Sequence, residues 1–212
     1  MTLRCSTAAL LLAAALGCGG AGPPRAPSSL PPVAPAPAAA TAPAAALDDM
    51  LRSDLAADQA FPWSARKRLA WSDFQAPPPA EGSEGARSAY TLYYAWQCRG
   101  QAFAFRVIAG FRPRQSWVKP AVLNDAAQSR SVLGHEQTHF DLVEVHARGM
   151  RRHFAELVGA CRRADGELTA IARRLVQEEK AEQRRYDDET DHGLLADKQA
   201  AWTGDVARRL RP

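Results

Sequence analysis

The sequence predicts an α+β domain in which a small antiparallel sheet packs on one long helix, with two or three further helices. Two runs of alternating aromatic and polar residues meet at a break that contains Gly100, which is typical of a hairpin. A long stretch after them repeats apolar residues at helical spacing, and shorter helical stretches follow. We place this domain at residues 61–212, a common length for one folded unit.

Residues 1–17 predict a signal peptide of the lipoprotein type. Arg4 precedes an apolar run, residues 8–16, that is too short to span a bilayer. The run leads to Cys18 in a pattern that resembles a bacterial lipobox, although Ala15 stands where that pattern prefers Leu. We therefore expect export to the cell envelope, with lipid on Cys18 anchoring the protein in a membrane and the domain facing the periplasm or the exterior. The alternative is a freely secreted product in which Cys18 is discarded or left free.

Residues 18–60 predict a disordered tether between the lipid and the domain. Ala and Pro dominate much of this segment, which therefore has little to bury and many fixed backbone angles. The formal net charge of the sequence is +4, and its Lys and Arg are interleaved with Asp and Glu, which argues against nucleic acid as a partner. We expect a monomer that binds a peptide or protein substrate and touches the membrane only through its lipid.

The domain is predicted to open with a short strand at Arg68–Phe74, where apolar and polar residues alternate. The hairpin follows as residues 90–98 and 101–111, and its large side chains on one face are predicted to cover a helix layer. The second strand could also offer an edge to an extended peptide.

The long helix is predicted to run from an N-cap at Asp125 to about Val158. A second helix and a short final helix through Trp202 complete the domain. Cys98 and Cys161 lie in this exported domain without C-x-x-C spacing, so we expect them to form a disulfide rather than a metal site.

One short run within the long helix points to a specific chemistry. His135 and His139 are four residues apart, so a helix stacks their imidazoles on one face, where both can bind one zinc ion. Glu136 is about 100° round the helix from His135, where it can reach metal-activated water without binding the metal. This is the H-E-x-x-H pattern of zinc peptidases. Alone it is a weak signal, and two partly buried histidines that bind nothing are the alternative.

A catalytic zinc site of this kind needs a third protein ligand and an open position for water. The helix itself offers none, since Asp141 and Glu144 point about 200° and 140° away from His139. The best candidate downstream is His192, in a turn-rich segment before Gly193 that can fold over the helix. The alternatives are three glutamates on the second helix, namely Glu178, Glu179 and Glu182.

With these residues in place, the chain resembles the bacterial domain-of-unknown-function 922 family over residues 69–202. The pieces that carry the resemblance are Leu69-x-Trp71-x-Asp73-Phe74, Ser116-Trp117, His135-Glu136-Gln137-x-His139-Phe140-Asp141, Tyr186-Asp187-x-x-Thr190-x-His192-Gly193, Gln199 and Trp202. The H-E-x-x-H run and the Tyr-to-Gly run are specific in combination. The resemblance implies a zincin-like domain, one zinc ion and an exported peptidase, but it supplies no substrate.

The function expected is zinc-dependent hydrolysis of peptide bonds, with zinc held by His135, His139 and His192 and with Glu136 moving the proton. Tyr186 or a residue near it is the candidate for stabilising the oxyanion.

Two aspartates, Asp141 and Asp187, are candidates for orienting a ligand imidazole, and both could equally be helix-end or surface carboxylates. Two rival functions stay open. One is a non-catalytic envelope lipoprotein with a structural or vestigial metal site, and the other is a zinc amidase acting on cell-wall peptides. A structural site is closed by four protein ligands, whereas a catalytic site keeps an open position.

Overall fold

The computed structural model describes residues 41–211, without the side chains of residues 41–43. The signal peptide, Cys18 and the first part of the predicted tether lie outside the described residues. Within the described range, no helix is both long enough and apolar enough to cross a bilayer.

The described residues combine helices with small antiparallel sheets, which confirms the predicted α+β class. In chain order the elements are α1 (Thr41–Ala57), β1 (Phe61–Pro62), β2 (Ala86–Arg87), β3 (Tyr90–Arg99), β4 (Ala102–Phe111), β5 (Trp117–Val118), α2 (Pro120–Asn124), α3 (Ala126–Ala155), α4 (Asp165–Thr190) and α5 (Ala196–Arg209).

The main sheet has the strand order β1-β4-β3, and both pairings are antiparallel. The predicted hairpin is confirmed: Tyr90 pairs with Phe111, and the register continues to the turn between β3 and β4. Gly100 in this turn has a φ of 58°, a left-handed conformation that favours glycine. A second, two-stranded sheet pairs β2 with β5.

The strand predicted at Arg68–Phe74 is wrong. A single 3-10 turn at Trp71–Asp73 occupies the middle of this segment. The carboxylate of Asp73 accepts a hydrogen bond from the backbone N–H of Ala70 at 2.9 Å. Local bonds of this kind compete with strand pairing, so the alternating pattern was misleading here.

Helix α3 covers one face of the main sheet and confirms the predicted long helix. Its N-cap, Asp125, accepts hydrogen bonds from the N–H groups of Ala127 at 2.8 Å and Gln128 at 3.0 Å. The buried apolar face of the helix packs on the strands, and burial of each such large side chain contributes about 1.5–3 kcal/mol. The residues that meet are Phe140, Val143, Ala147, Met150 and Phe154 from α3 and Phe105, Val107, Ala109 and Phe111 from β4.

Helix α1 covers the opposite face of the sheet, where the tether was predicted to continue. Leu47, Leu51 and Leu55 are buried, and the first two pack with Tyr93 and Ile108. The tether prediction is therefore wrong for residues 41–57, because three leucines spaced by four residues give this Ala-rich segment an apolar helical stripe. The sheet is consequently covered on both faces.

The first half of β4 extends past the two residues of β1, and no other strand of residues 41–211 pairs with that edge. The chain after β1 donates an N–H to the carbonyl of Ala109 at 2.8 Å. Carbonyls two residues apart in a strand point the same way, so those of Val107 and Phe105 face this open edge. Arg151 donates to Val107 at 3.0 Å, and Arg106 donates to Phe105 at 2.9 Å. Side chains therefore occupy the edge that was predicted to accept an extended peptide.

The C-terminal helices α4 and α5 pack against α3. Glu182 on α4 links all three, because it contacts His146 of α3 at 2.6 Å and accepts hydrogen bonds from Arg209 of α5 at 2.8 and 3.0 Å. A disulfide joins Cys98, at the end of β3, to Cys161, between α3 and α4. This is the pairing that the sequence predicts.

Candidate metal site

His135 and His139 lie one turn apart on α3, and each is buried. Their Nε2 atoms are 3.0 Å apart. Asp187 on α4 brings Oδ1 to 3.2 Å from Nε2 of His135 and to 2.8 Å from Nε2 of His139. Among the described residues, these three form the one group of His, Cys, Asp and Glu side chains positioned to hold a metal ion. We call His135, His139 and Asp187 the HHD cluster.

Gln183 on α4 fixes the orientation of the His139 ring. Its amide nitrogen donates to the backbone carbonyl of His139 at 3.1 Å and to the carboxylate of Glu179 at 2.8 Å. The amide oxygen is therefore the atom that faces Nδ1 of His139, at 2.7 Å. An acceptor at that position assigns the ring proton to Nδ1 and leaves a lone pair on Nε2.

Gln199 on α5 has the same role for His135. Its amide nitrogen donates to the hydroxyl of Thr203 at 3.1 Å. Its amide oxygen accepts from the hydroxyl of Tyr186 at 2.7 Å and faces Nδ1 of His135 at 3.1 Å. The ring of His135 also stacks on Tyr186, with centroids 4.7 Å apart. Two glutamines from two helices thus hold both histidines in the same tautomer.

The three atoms that face one another in the HHD cluster are all acceptors, namely two Nε2 atoms and a carboxylate oxygen. Lone pairs that converge in this way repel one another unless a proton or a metal cation lies among them. Ligand atoms about 2.0–2.1 Å from a tetrahedral zinc ion are about 3.3 Å from one another. The separations within the cluster are 3.0, 3.2 and 2.8 Å, and a set of imidazole and carboxylate ligands suits zinc. The residues present therefore fit a zinc ion.

The electrostatics of the cluster keep the side chain of Asp187 ionised. Burial alone would raise the pKa of Asp187, but the imidazoles of His135 and His139, which donate to this carboxylate when Nε2 carries a proton, outweigh burial and hold that pKa below its ordinary value. Burial alone would lower the pKa of His139, but its contact with Asp187 and the charge of Glu136 outweigh burial and raise that pKa. Asp187 is thus a carboxylate at neutral pH and can serve as a ligand.

Glu136 follows His135 on α3 and is buried beside the cluster. Its Oε2 accepts hydrogen bonds from the backbone N–H of Ser88 at 2.7 Å and from the Ser88 hydroxyl at 2.5 Å. Ser88 lies between β2 and β3, so the edge of the small sheet fixes the carboxylate in place. Within residues 41–211, the hydrogen bonds of this carboxylate are those to Oε2.

A family model described as bacterial protein of unknown function (DUF922) matches residues 85–193, which is more than half of the 212 residues. The chain belongs to the DUF922 family. The match contains the whole HHD cluster together with Glu136 and Gln183, whereas Gln199 lies beyond it. No curated protein and no solved structure matches the chain.

In this DUF922 protein the predicted third ligand, His192, lies outside the HHD cluster. Its side chain is 67% exposed, and its Nδ1 is 3.7 Å from Oδ1 of Asp187. Helix α4 continues to Thr190, so Asp187 stays on the helix and faces α3, while His192 follows the end of the helix with a φ of 53°. Asp187, which was predicted only to orient a ligand, occupies the third position instead.

The three glutamates considered as alternative ligands also lie outside the cluster. Glu178 pairs with Arg174 on the surface, Glu179 accepts from Gln183, and Glu182 bonds to residues of α3 and α5. None of them replaces Asp187 in this DUF922 protein.

Two further predictions for the site differ from the structure. Tyr186 is 0% exposed and its hydroxyl donates to Gln199, so it does not face a substrate. Asp141 orients no ligand imidazole. Instead, its carboxylate accepts hydrogen bonds from Trp63 at 2.8 Å, Arg68 at 2.9 Å and Gln137 at 2.8 Å, which ties the start of the domain to α3.

Other residues that support the site were not predicted from the sequence. Glu179, Gln183, Tyr186 and Thr190 are buried and recur at helical spacing, so a polar stripe on α4 was the signal that could have identified Gln183. Tyr90 was predicted to be core, yet its ring lies 6.0 Å from that of His139. Burial and then the charges of Glu179 and Asp187 raise the pKa of Tyr90, so its hydroxyl stays protonated.

Proposed function

We propose that this DUF922 protein is a zinc-dependent peptidase with a zincin-like site, in which His135, His139 and Asp187 hold one zinc ion. The observation that carries the proposal is the convergence of three acceptor atoms of the HHD cluster at separations of 2.8–3.2 Å, beside the buried carboxylate of Glu136. Three protein ligands also favour a catalytic site over a structural one, since a structural zinc site is usually closed by four. When bound, zinc supplies a Lewis acid and lowers the pKa of a coordinated water.

Glu136 is the base in this proposal. Ser88 holds Oε2 through two hydrogen bonds, so the carboxylate is fixed while Oε1 is available to take a proton from the attacking water. The protonated side chain then donates that proton to the leaving nitrogen. Because one of these hydrogen bonds comes from the backbone N–H of Ser88, the position of the Glu136 carboxylate depends on the small sheet as well as on α3.

Gln183 and Gln199 are positioning residues in this proposal. Each accepts the Nδ1 proton of one histidine, which turns the Nε2 lone pair toward the cluster. The two amides approach from α4 and α5, so correct packing of both helices on α3 is needed to assemble the ligands.

Peptide or protein substrates, an exported location and a lipid anchor at Cys18 form part of the same proposal. The disulfide between Cys98 and Cys161 supports an oxidising compartment, because such bonds are rare in proteins of the cytosol. An amidase that acts on cell-wall peptides would use the same residues on a different amide bond, so substrate tests must include both classes.

The test is a hydrolysis screen with the zinc-loaded protein on fluorogenic peptide pools and on peptidoglycan fragments. We expect the wild type to cleave an amide bond and Glu136→Gln to bind zinc at the same stoichiometry with turnover at least about 10³-fold lower. Glu178→Gln is the matched control, since this glutamate is exposed on α4 and outside the site. Turnover by Glu136→Gln equal to that of the wild type would refute the mechanism. If the wild type hydrolyses no substrate, both the peptidase and the amidase proposals are refuted.

A further inference from the structure

His192 differs from the other polar side chains around the HHD cluster because it is exposed. Its side chain is 67% accessible, whereas those of His135 and His139 are 7% and 8% accessible. Its Nδ1 nevertheless lies only 3.7 Å from Oδ1 of Asp187, the same oxygen that contacts both buried imidazoles. His192 is therefore at the mouth of the cluster, within reach of a substrate group that binds there.

The backbone at His192 is held in an unusual conformation. Asp191 and His192 both have positive φ values, 47° and 53°, which residues other than glycine rarely adopt, and Gly193 follows at 85°. Strain of this kind persists only where the surroundings enforce it, and it is concentrated at functional sites.

Several contacts enforce that conformation. The N–H of His192 donates to the carbonyl of Asp187 at 2.9 Å, and the N–H of Gly193 donates to the hydroxyl of Thr190 at 3.1 Å. Thr190 is fully buried and donates in turn to the carbonyl of Tyr186 at 2.7 Å. Gly193 is pressed against the ring of His135 so closely that a Cβ would lie 3.0 Å from it. The main chain of the turn is fixed, while the imidazole of His192 faces solvent.

Peptide hydrolysis is accelerated by a hydrogen-bond donor for the oxygen of the scissile carbonyl, which becomes negatively charged as water attacks. Tyr186 does not supply this donor, because its hydroxyl is buried and donates to Gln199. His135 and His139 use their Nδ1 protons on the two glutamines. An imidazole carries an N–H in either of its protonation states, so the exposed ring of His192 can always donate.

We propose that His192 is a catalytic residue that donates a hydrogen bond to the substrate's developing oxyanion. The assignment rests on the proposed function, and it gives this histidine a role distinct from that of a metal ligand. Its distance to Oδ1 of Asp187, 3.7 Å, exceeds the separations of 2.8–3.2 Å within the cluster, in agreement with that distinction.

The test compares the wild type with His192→Ala, His192→Gln and the control His153→Ala, which removes a histidine from the far part of α3. Zinc affinity is measured by competition with a chelator. Binding of inorganic phosphate, a tetrahedral oxyanion, to the Co²⁺-loaded proteins is followed by visible absorption. For any peptide that the wild type cleaves, kcat and KM are measured separately.

We expect His192→Ala to bind zinc within about twofold of the wild type and to bind phosphate at least about tenfold more weakly, with kcat lower by about 10²–10³ and little change in KM. His192→Gln, which keeps a donor, should recover part of both losses, and His153→Ala should resemble the wild type. A tenfold or larger loss of zinc affinity in His192→Ala would make it a ligand and overturn the assignment, as would unchanged phosphate binding. If the wild type cleaves nothing, the proposed function fails on its own, and the phosphate and zinc titrations still decide whether His192 is a donor at the site.

Discussion

Both ends of the Gln183 side-chain amide bind His139: the oxygen lies 2.7 Å from Nδ1, and the nitrogen donates to the backbone carbonyl at 3.1 Å. One side chain on α4 therefore fixes the ring and the main chain of a residue on α3. Replacement of Gln183 by Ala should leave Nδ1 without its acceptor and weaken zinc affinity by about 10–100-fold. A chelator competition assay measures this, with Gln177→Ala, an exposed glutamine on the same helix, as the control. Equal zinc affinity in the two variants would show that the ring needs no such partner.

Asp187→Asn should remove the proposed third ligand while keeping the shape of the side chain. We expect zinc affinity to fall at least about 100-fold, because a neutral amide is a poor ligand and two histidines alone do not complete a zinc site. The neighbouring Asp188 is exposed, so Asp188→Asn changes the same charge without touching the cluster. Metal content after dialysis distinguishes the two variants. Full zinc retention by Asp187→Asn would mean that another residue completes the site.

Gly193→Ala should disturb the site through His135. The alanine backbone would have to keep a φ of 85°, and its methyl group would lie 3.0 Å from the imidazole of His135. We therefore expect the free energy of unfolding to fall by about 2–4 kcal/mol and zinc binding to weaken. Gly100→Ala provides the control, because that glycine also has a positive φ but no atom lies within 4 Å of its Cβ position. The control substitution should lower the free energy of unfolding, measured with urea, by only about 1 kcal/mol and should leave zinc affinity unchanged. Similar effects of both substitutions on zinc would contradict the contact with His135.

The link between α3, α4 and α5 should weaken in acid. The hydrogen bond to His146, assisted by Arg209 and opposed by burial, lowers the pKa of Glu182 from 4.5 to about 2. A carboxyl group whose pKa is lower in the folded state stabilises the protein above its unfolded pKa, and this contribution is lost as the pH falls toward the folded value. The free energy of unfolding of the wild type should therefore exceed that of Glu182→Gln at pH 6, and the difference should shrink between pH 4.5 and 2. A difference that does not change over that range would refute the assignment.

The disulfide between Cys98 and Cys161 should contribute substantially to stability. It closes a loop with a sequence separation of 63 residues, for which chain-entropy arguments give about 4 kcal/mol. Urea unfolding of the oxidised protein, the reduced protein and the variant with both cysteines replaced by serine measures this contribution. We expect the reduced protein and the double variant to have the same urea midpoint, lower than that of the oxidised protein. A midpoint equal to that of the oxidised protein in either of them would contradict the prediction.

The two histidines and the adjacent glutamate lie together on one helix as the sequence predicts, because all three positions depend only on the regular geometry of that helix. The sequence could not show that Asp187 rather than His192 joins the two histidines in the HHD cluster. That choice depends on where α4 ends, and the helix continues to Thr190 through a charged stretch that gives no clear stop signal.

The hairpin was predictable because alternation and a glycine turn are local signals. Helix α1 was not, because the Ala and Pro content of the preceding chain outweighed its three leucines, and only the sheet face that they cover makes the helix stable. Gln183 and Ser88 were missed, and Gln199 was named only as part of the family resemblance, for a related reason. A polar side chain that supports a metal site is recognised by what it contacts. The spacing of residues along the sequence does not reveal contacts between residues that are far apart in the chain.

The two arginines on the carbonyls of Phe105 and Val107 have a consequence for how copies of this protein behave at high concentration. An unpaired strand edge is a template on which a second molecule can extend the sheet, and such growth leads to aggregation. Here positive charges sit on two of the carbonyls that a foreign strand would have to bind. Such a strand would have to displace a guanidinium group before it could bind either of these two carbonyls. Side chains from β4 and from α3, the helix that also carries His135 and His139, thus hinder pairing between the sheets of two copies of this domain.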